Sequence, residues 1–313
     1  MILSASRRTD IPSYYAEWLL NRLEAGFVFV RNPMNAKQVS RIPIDPDGVD
    51  CIVFWSKNPG PLVPHLDRID ALGYPYYFQF TLTPYDQTIE RNLPPKAEIE
   101  KTFVELSERI GKERMVWRYD PIFISPEWTV DRHEETFEAM TERLAPYADE
   151  CIISFIDPYR AAVRRMGSQT GGGVTPDTMR AIAERFAGVA RKLGLPVNTC
   201  AESIELGQHG IGRASCIDRD RIERILGCRL SDKVRVDGQR PHCGCIECID
   251  IGAYDTCQNG CLYCYATASD ELAKRNFEAH DPHSALLIGD SDAVERVTER
   301  KVERFREDQI RLW

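Results

Sequence analysis

From residue 1 to about 200 the chain alternates short apolar runs with amphipathic stretches, and no other feature limits its possible folds as tightly. The runs fall at 1–5, 27–31, 50–55, 76–82, 115–119, 151–156 and 196–200 and are rich in Val, Ile, Phe and Tyr. Such runs predict strands buried on both faces. Between most of them lie amphipathic helices, at 13–25, 61–72, 96–110, 131–146 and 177–193. Gly26, Gly73, Gly111 and Gly194 punctuate the helix ends. Strands separated by single helices predict an α/β fold with a parallel sheet, as a (β/α) TIM-type or partial barrel. One break interrupts the pattern. Residues 32–49 read as turn, strand (38–44) and turn, a hairpin or extended loop after the second strand.

Beyond residue 200 the text changes. A helix at 218–227 starts at a plausible N-cap, Asp218. A polar, basic stretch (231–242), a cysteine cluster and a strand at 249–254, counted as the eighth, follow. A helix then begins near Ala266, and the charged tail 291–308 reads as an outer helix. The organisation is therefore a barrel over 1–230 and a Cys-rich segment over 231–313 that completes it and adds C-terminal helices, all in one structural unit. Residues 167–176, Gly-Ser-Gln-Thr-Gly-Gly-Gly-Val-Thr-Pro, read equally well as a lid loop or a plain connector.

Several function classes are disfavoured at once. No apolar run approaches the ~20 residues needed to span a bilayer. The N-terminus places its charge, Arg7 and Arg8, after the apolar residues, the reverse of a signal peptide, so the chain reads as cytoplasmic. A net charge of −8 argues against gripping long nucleic acid through a basic face and leaves a small molecule as the expected partner.

The predicted strand ends carry polar groups. They are Ser6-Arg7-Arg8-Thr9-Asp10, Ser56-Lys57-Asn58, Gln79 to Thr83, Arg118-Tyr-Asp120, Asp157-Pro-Tyr159-Arg160 and Asn198-Thr-Cys200-Ala-Glu202. In a parallel barrel the loops after the strands share one mouth, where active sites sit. Arg7, Arg8, Asp10, Lys57, Arg118 and Asp120 are accordingly the candidates for anion binding and proton handling. Each has a structural alternative: Arg118 and Asp120 can simply pair, and Arg7 and Arg8 can cap carbonyls. As a set they argue for an enzyme.

Six of the eleven cysteines lie between 243 and 264. In a reducing compartment such clustering points to metal rather than disulfides. Cys257, Cys261 and Cys264 have C-x3-C-x2-C spacing. Three thiolates on a cubane cluster leave its fourth iron open to a small molecule. Zinc is the competing reading, with Cys245 or Cys248 completing four ligands, and a non-metal role fits poorly with this density. Cys200, Cys216, Cys243 and Cys245 form a candidate second site, for another 4Fe–4S cluster or zinc. Cys216 as an ordinary buried residue is the alternative. Cys51, Cys151 and Cys228 read as core or incidental, and His242 as a reserve ligand.

The segments Ser4-Ala-Ser-Arg-Arg-Thr-Asp-Ile-Pro, Phe54-Trp-Ser-Lys-Asn-Pro59, Trp117-Arg-Tyr-Asp-Pro121 and Asp250 through Ala266 resemble the bacterial family known as domain of unknown function 1848 over nearly the full length. That resemblance implies no activity. The three-cysteine loop, with aromatic Tyr263 before its last cysteine, is more loosely similar to radical S-adenosylmethionine barrels, including the spore photoproduct lyase type. There the loop follows the first strand; here it follows the last, as in a circularly permuted barrel. The resemblance implies a 4Fe–4S cluster whose open iron binds S-adenosylmethionine, reductive C–S cleavage, and hydrogen abstraction from a small substrate. It also implies an electron donor such as flavodoxin or ferredoxin, and places Tyr263 against the adenine. Ser6 to Asp10 would hold the methionine end, in place of that family's Gly-Gly-Glu type stretch. Two other readings stand beside it. One is a hydrolase or lyase with a structural metal, acting through Asp10, Asp120 and Glu202. The other is a non-catalytic iron–sulfur or zinc module that senses redox state or carries clusters.

Overall fold

The run Cys51 to Ser56 has five of six residues buried and no polar face to turn toward water, so it needs a neighbour on each edge and a layer on each side. The computed structural model, which describes residues 1–167, 174–238, 240–291, 294 and 296–307, gives it both. The strands are β1 (Ile2–Ala5), β2 (Phe27–Asn32), β3 (Asn35–Pro43), β4 (Cys51–Ser56), β5 (Tyr76–Thr81), β6 (Met115–Ile122), β7 (Glu150–Phe155), β8 (Val197–Cys200), β9 (Gly212–Ala214), β10 (Ile249–Asp250) and β11 (Val297–Glu299). The helices are α1 (Ile11–Tyr14), α2 (Ala16–Ala25), α3 (Leu66–Ala71), α4 (Lys96–Ile110), α5 (Val130–Leu144), α6 (Arg160–Met166), α7 (Pro176–Leu193), α8 (Arg219–Leu226) and α9 (Asp270–Glu278).

Eight strands make one sheet in the order β10-β1-β4-β5-β6-β7-β8-β9, with every pairing parallel. The expected parallel α/β sheet is therefore present. Its ladder ends at β10 and β9, which do not pair with each other, so the hydrogen bonding describes an open sheet. Alternate side chains sort onto two faces. Leu3, Phe54, Phe78, Trp117 and Ile153 pack with Trp18, Leu66, Phe103, Phe137 and Phe186 of α2, α3, α4, α5 and α7. Ile2, Val53, Tyr77, Val116 and Ile152 pack on the other face with Ile217, Ile222 of α8, Leu230 and Ile246. Crossovers of one hand between strands taken in sequence put their helices on the same side. The opposite face is left for the 216–246 segment, which brings two of the clustered cysteines, Cys243 and Cys245, with it.

Several elements differ from expectation. The strand at 27–31 forms, but as β2 in a separate three-stranded sheet, antiparallel to β3, with β11 parallel to β3 on the far edge. The break at 32–49 is thus a hairpin. The large sheet still has eight members because β9, which carries no apolar run, joins β8. The expected strand at 249–254 is only two residues long. The helix near Ala266 starts at Asp270, and the tail contains β11 rather than a helix among its described residues. A backbone ladder to β3 outweighs the helix-like charge pattern there. Asp218 does cap α8, accepting from the amide of Arg221 at 2.7 Å. Most of the proposed lid loop, 168–173, lies outside the described residues. No helix among the described residues is long and apolar enough to cross a membrane.

Candidate functional site

Parallel strands all point their C-terminal ends the same way, so the loops after β1, β4, β6, β7, β8 and β10 gather at one edge of the sheet. They enclose a cavity of about 450 Å³. Arg7, Arg8, Asp10, Lys57, Arg118, Asp120 and Tyr263 all line it. So do Cys257, Cys261 and Cys264 and the second set, Cys200, Cys216, Cys243 and Cys245. Glu202, Cys248 and His242 do not. Cys51 and Cys151 are fully buried in the cores, away from the cavity.

Two carboxylates fasten the end of β1. Asp10 caps α1 and takes hydrogen bonds from Ser13 N (3.1 Å), Ser56 Oγ (2.7 Å), Lys57 N (2.8 Å) and Asn259 Nδ2 (3.1 Å). Burial still raises its pKa above the ordinary carboxylate value, against those donors. Asp250, on β10, accepts from Ser4 Oγ (2.9 Å), Ser6 Oγ (2.6 Å) and Arg7 N (2.8 Å). A methyl group on Gly252 would stand 2.0 Å from Ser6 Oγ, so only glycine permits this closeness of the cysteine-bearing segment to β1.

Glu90 is 1% exposed and anchors the cysteine loop. It accepts from Lys57 Nζ and Thr83 Oγ1 at 2.8 and 2.7 Å, and also from Lys96 and Tyr263. Burial pushes its carboxyl up, but Lys57 and Lys96 bring it down to about 2. Residues 89–92 template the loop through Leu262 N to Ile89 O (3.0 Å) and Asn92 N to Asn259 O (3.1 Å). Arg165 of α6 clamps its far side, donating to the carbonyls of Leu262 (3.1 Å), Cys264 and Thr267. The Cys264 sulfur accepts the amide of Ala266 at 3.3 Å. Burial pushes the Cys261 thiol up to about 12, with Lys57 opposing, and holds Cys257 well above its usual range.

The second set converges more tightly. Cys200 and Cys216 Sγ are 2.9 Å apart, beyond a disulfide's ~2.05 Å. Cys245 Sγ accepts from Ile217 N at 3.3 Å. Contact with Cys200 lowers the Cys216 pKa, but Cys245 and burial carry it up to about 11. Arg118 donates to Cys216 Sγ at 2.8 Å and pairs with Asp120, which also accepts from Ser154. Burial works against ionisation of Asp120, yet Arg118 and Ser154 hold its pKa below the ordinary value. Among the described residues, no group of three or more His, Cys, Asp and Glu is gathered closely enough to hold an ion as it stands. The donor chemistry, soft sulfur with amide and guanidinium donors beside it, fits an iron–sulfur cluster or zinc.

Sequence reasoning passed over Glu90, Arg165 and Arg240. Arg240, which pairs with Asp157 and lines the cavity, sits in the basic stretch before the cysteines, where nothing marks one arginine from its neighbours. Glu202 accepts from Phe155 N at 2.9 Å, and burial pushes it up to about 7 despite that bond.

The model described as Domain of unknown function (DUF1848) matches residues 2–266. No curated protein matches the chain. Among solved structures, a crystal structure described as a "putative alpha-L-fucosidase" from Bacteroides thetaiotaomicron VPI-5482 is similar at 14% identity, covering 59% of this chain and 84% of that one, with a TM-score of 0.24. A likeness that weak says nothing about activity.

Proposed function

The chain belongs to the DUF1848 family, whose description names no activity; from its own residues we propose that it is an iron–sulfur enzyme of the radical S-adenosylmethionine kind, built on a permuted partial barrel. The observation that carries this reading is the meeting of Cys257, Cys261 and Cys264 with the polar ends of β1, β4, β6 and β8 in one cavity. Those three cysteines would hold a 4Fe–4S cluster with one open iron. Cys200, Cys216, Cys243 and Cys245 would hold a second cluster or zinc. A bound open-site cluster would supply one electron, drawn from a donor such as flavodoxin or ferredoxin, to S-adenosylmethionine, splitting a C–S bond into methionine and a carbon radical that would take a hydrogen atom from the substrate.

The chain's own residues do the rest. Asp10 and Asp250 fix the 6–10 turn against the cysteine loop, so Arg7 and Arg8 stand ready for a carboxylate. The Arg118–Asp120 pair, 5% exposed at the arginine, brings a fixed dipole to the inner wall and steadies Cys216. Tyr263, held by Glu90, offers a ring for an adenine. Trp55, Tyr254 and Tyr265 line the cavity and limit water.

The test is anaerobic purification with iron and zinc quantitation. We expect a brown protein with about four irons per cubane, whose reduced EPR spectrum changes on adding S-adenosylmethionine. The variant Cys261→Ala should lose the open-site signal and keep its circular dichroism. A colourless, zinc-only protein would sink the proposal. A cluster indifferent to S-adenosylmethionine would point instead to a redox or carrier module.

A further inference from the structure

A second cavity, of about 320 Å³, lies behind the end of β1, between β10 and the β2–β3 hairpin. Three separate segments aim arginines into it: Arg7 and Arg8 after β1, Arg31 on β2, and Arg300 just past β11. The one carboxylate among its lining residues is Asp250, and its contacts to the guanidinium groups of Arg7 and Arg8 are long, 3.9 Å each. No carboxylate among the described residues lies within salt-bridge distance of Arg31 or Arg300. Gln38 and Ser40 add neutral hydrogen-bonding groups.

Arg7, Arg8 and Arg31 donate to Cys248 Sγ (3.1 Å), Gly252 O (3.4 Å) and Ala36 O (2.6 Å), uncharged acceptors, so one carboxylate is all that offsets four positive charges among the lining residues. The chain as a whole carries −8, so this is a local reversal of sign rather than a share of a basic surface. Guanidinium forks match the oxygens of a phosphate, and a phosphate dianion or diphosphate answers the excess charge better than a single carboxylate does. We infer that this cavity binds the phosphate group of a small phosphorylated ligand, with Arg31 and Arg300 as recognition residues and Arg7 and Arg8 as the shared wall. Arg7, Arg8 and Asp250 also line the cysteine-bearing cavity, so a ligand anchored by its phosphate here extends toward that cavity. The site is independent of whether a cluster binds.

The experiment is calorimetric titration of the purified full chain with sodium pyrophosphate, and separately with inorganic phosphate, at fixed ionic strength. Saturable one-to-one binding is expected, weakened at least about tenfold in Arg31→Ala/Arg300→Ala, since each substitution removes a charge-assisted contact. If the double variant melts before titration, Arg300→Ala alone replaces it, because that side chain is exposed. No saturable binding, or equal binding in the variants, overturns the inference. A single-stranded oligonucleotide that binds where pyrophosphate does not also overturns it, in favour of a surface that tracks a nucleic-acid backbone. A zinc-only protein that still binds pyrophosphate would sink the radical reading and leave this one standing.

Discussion

His133 shows how much a single buried side chain can set. It is fully buried, its Nε2 donating to the carbonyl of Phe123 at 2.8 Å, which leaves Nδ1 to accept from Tyr119 Oη at 2.9 Å. Burial pulls its pKa down to about 4, with the Phe123 bond opposing. In the unfolded chain the imidazole titrates near ~6.5. Between those values the unfolded state takes up a proton that the fold refuses, so the His133 contribution is complete above about 6.5 and is lost as pH falls toward 4. The loss should approach about 3 kcal/mol. Urea midpoints of the wild type and His133→Gln across this range check it: the variant should be less stable at neutral pH and show a flatter profile. Parallel profiles would mean that the histidine does not titrate with folding. At this scale the strand-end residues were legible, because polar groups after an apolar run stand out. Glu90 was not, because nothing local marks a loop carboxylate that finds Lys57, Lys96 and Tyr263 only through the fold.

Elements were legible where burial shaped their composition. Helices α4, α5 and α7 were read within two residues, their apolar stripes set by one side of the sheet. By contrast β9, Gly-Arg-Ala, is exposed or half-buried throughout. It is a strand only because its backbone completes the ladder of β8, which leaves no trace in side-chain choice. The run that became β2 carried the strand signal faithfully, but a period of two does not say which sheet a strand joins. Helix α6 was missed, and it matters to the site because Arg165 reaches three carbonyls of the cysteine loop. Partners of that kind commonly change metal affinity by 10–100-fold, roughly. If the loop holds the proposed cluster, Arg165→Ala should surrender its iron to a chelator at a concentration about tenfold lower than the wild type, with Arg165→Lys in between. Unchanged iron retention would assign Arg165 to folding alone, and a lowered melting temperature would accompany that outcome.

Over the whole molecule, the described part of the tail acts as a strap. β11 extends the hairpin sheet, and Phe305 and Arg306 then reach Asp50, which is fully buried. Asp50 accepts from Phe305 N at 2.8 Å and from Arg306 N and Nε at 3.1 Å each. The same stretch pairs with 229–231, through Ser231 N to Phe305 O (2.8 Å) and Glu307 N to Arg229 O (3.0 Å). One segment thus joins the small sheet, the start of β4 and the chain leading into the second cysteine set. Charge-rich composition hid this, since the contacts are made by backbone and by one arginine. Asp50→Ala would leave Arg306 Nε, two amides and the Met1 ammonium without their shared acceptor, while Arg306 Nη2 keeps the carbonyls of Pro46 and Val49. Breaking such a buried pair costs about 3–5 kcal/mol, and at ~2–4 °C per kcal/mol the melting temperature should fall by several degrees, somewhat less in a chain this long. Arg306→Ala should cost less, because the backbone donors to Asp50 remain. The double variant should fall short of the sum, since the two side chains share one interaction. Thermal melts of the four proteins decide it: strict additivity, or an Asp50→Ala protein that melts with the wild type, would mean that the strap rests on the sheet without holding the molecule together.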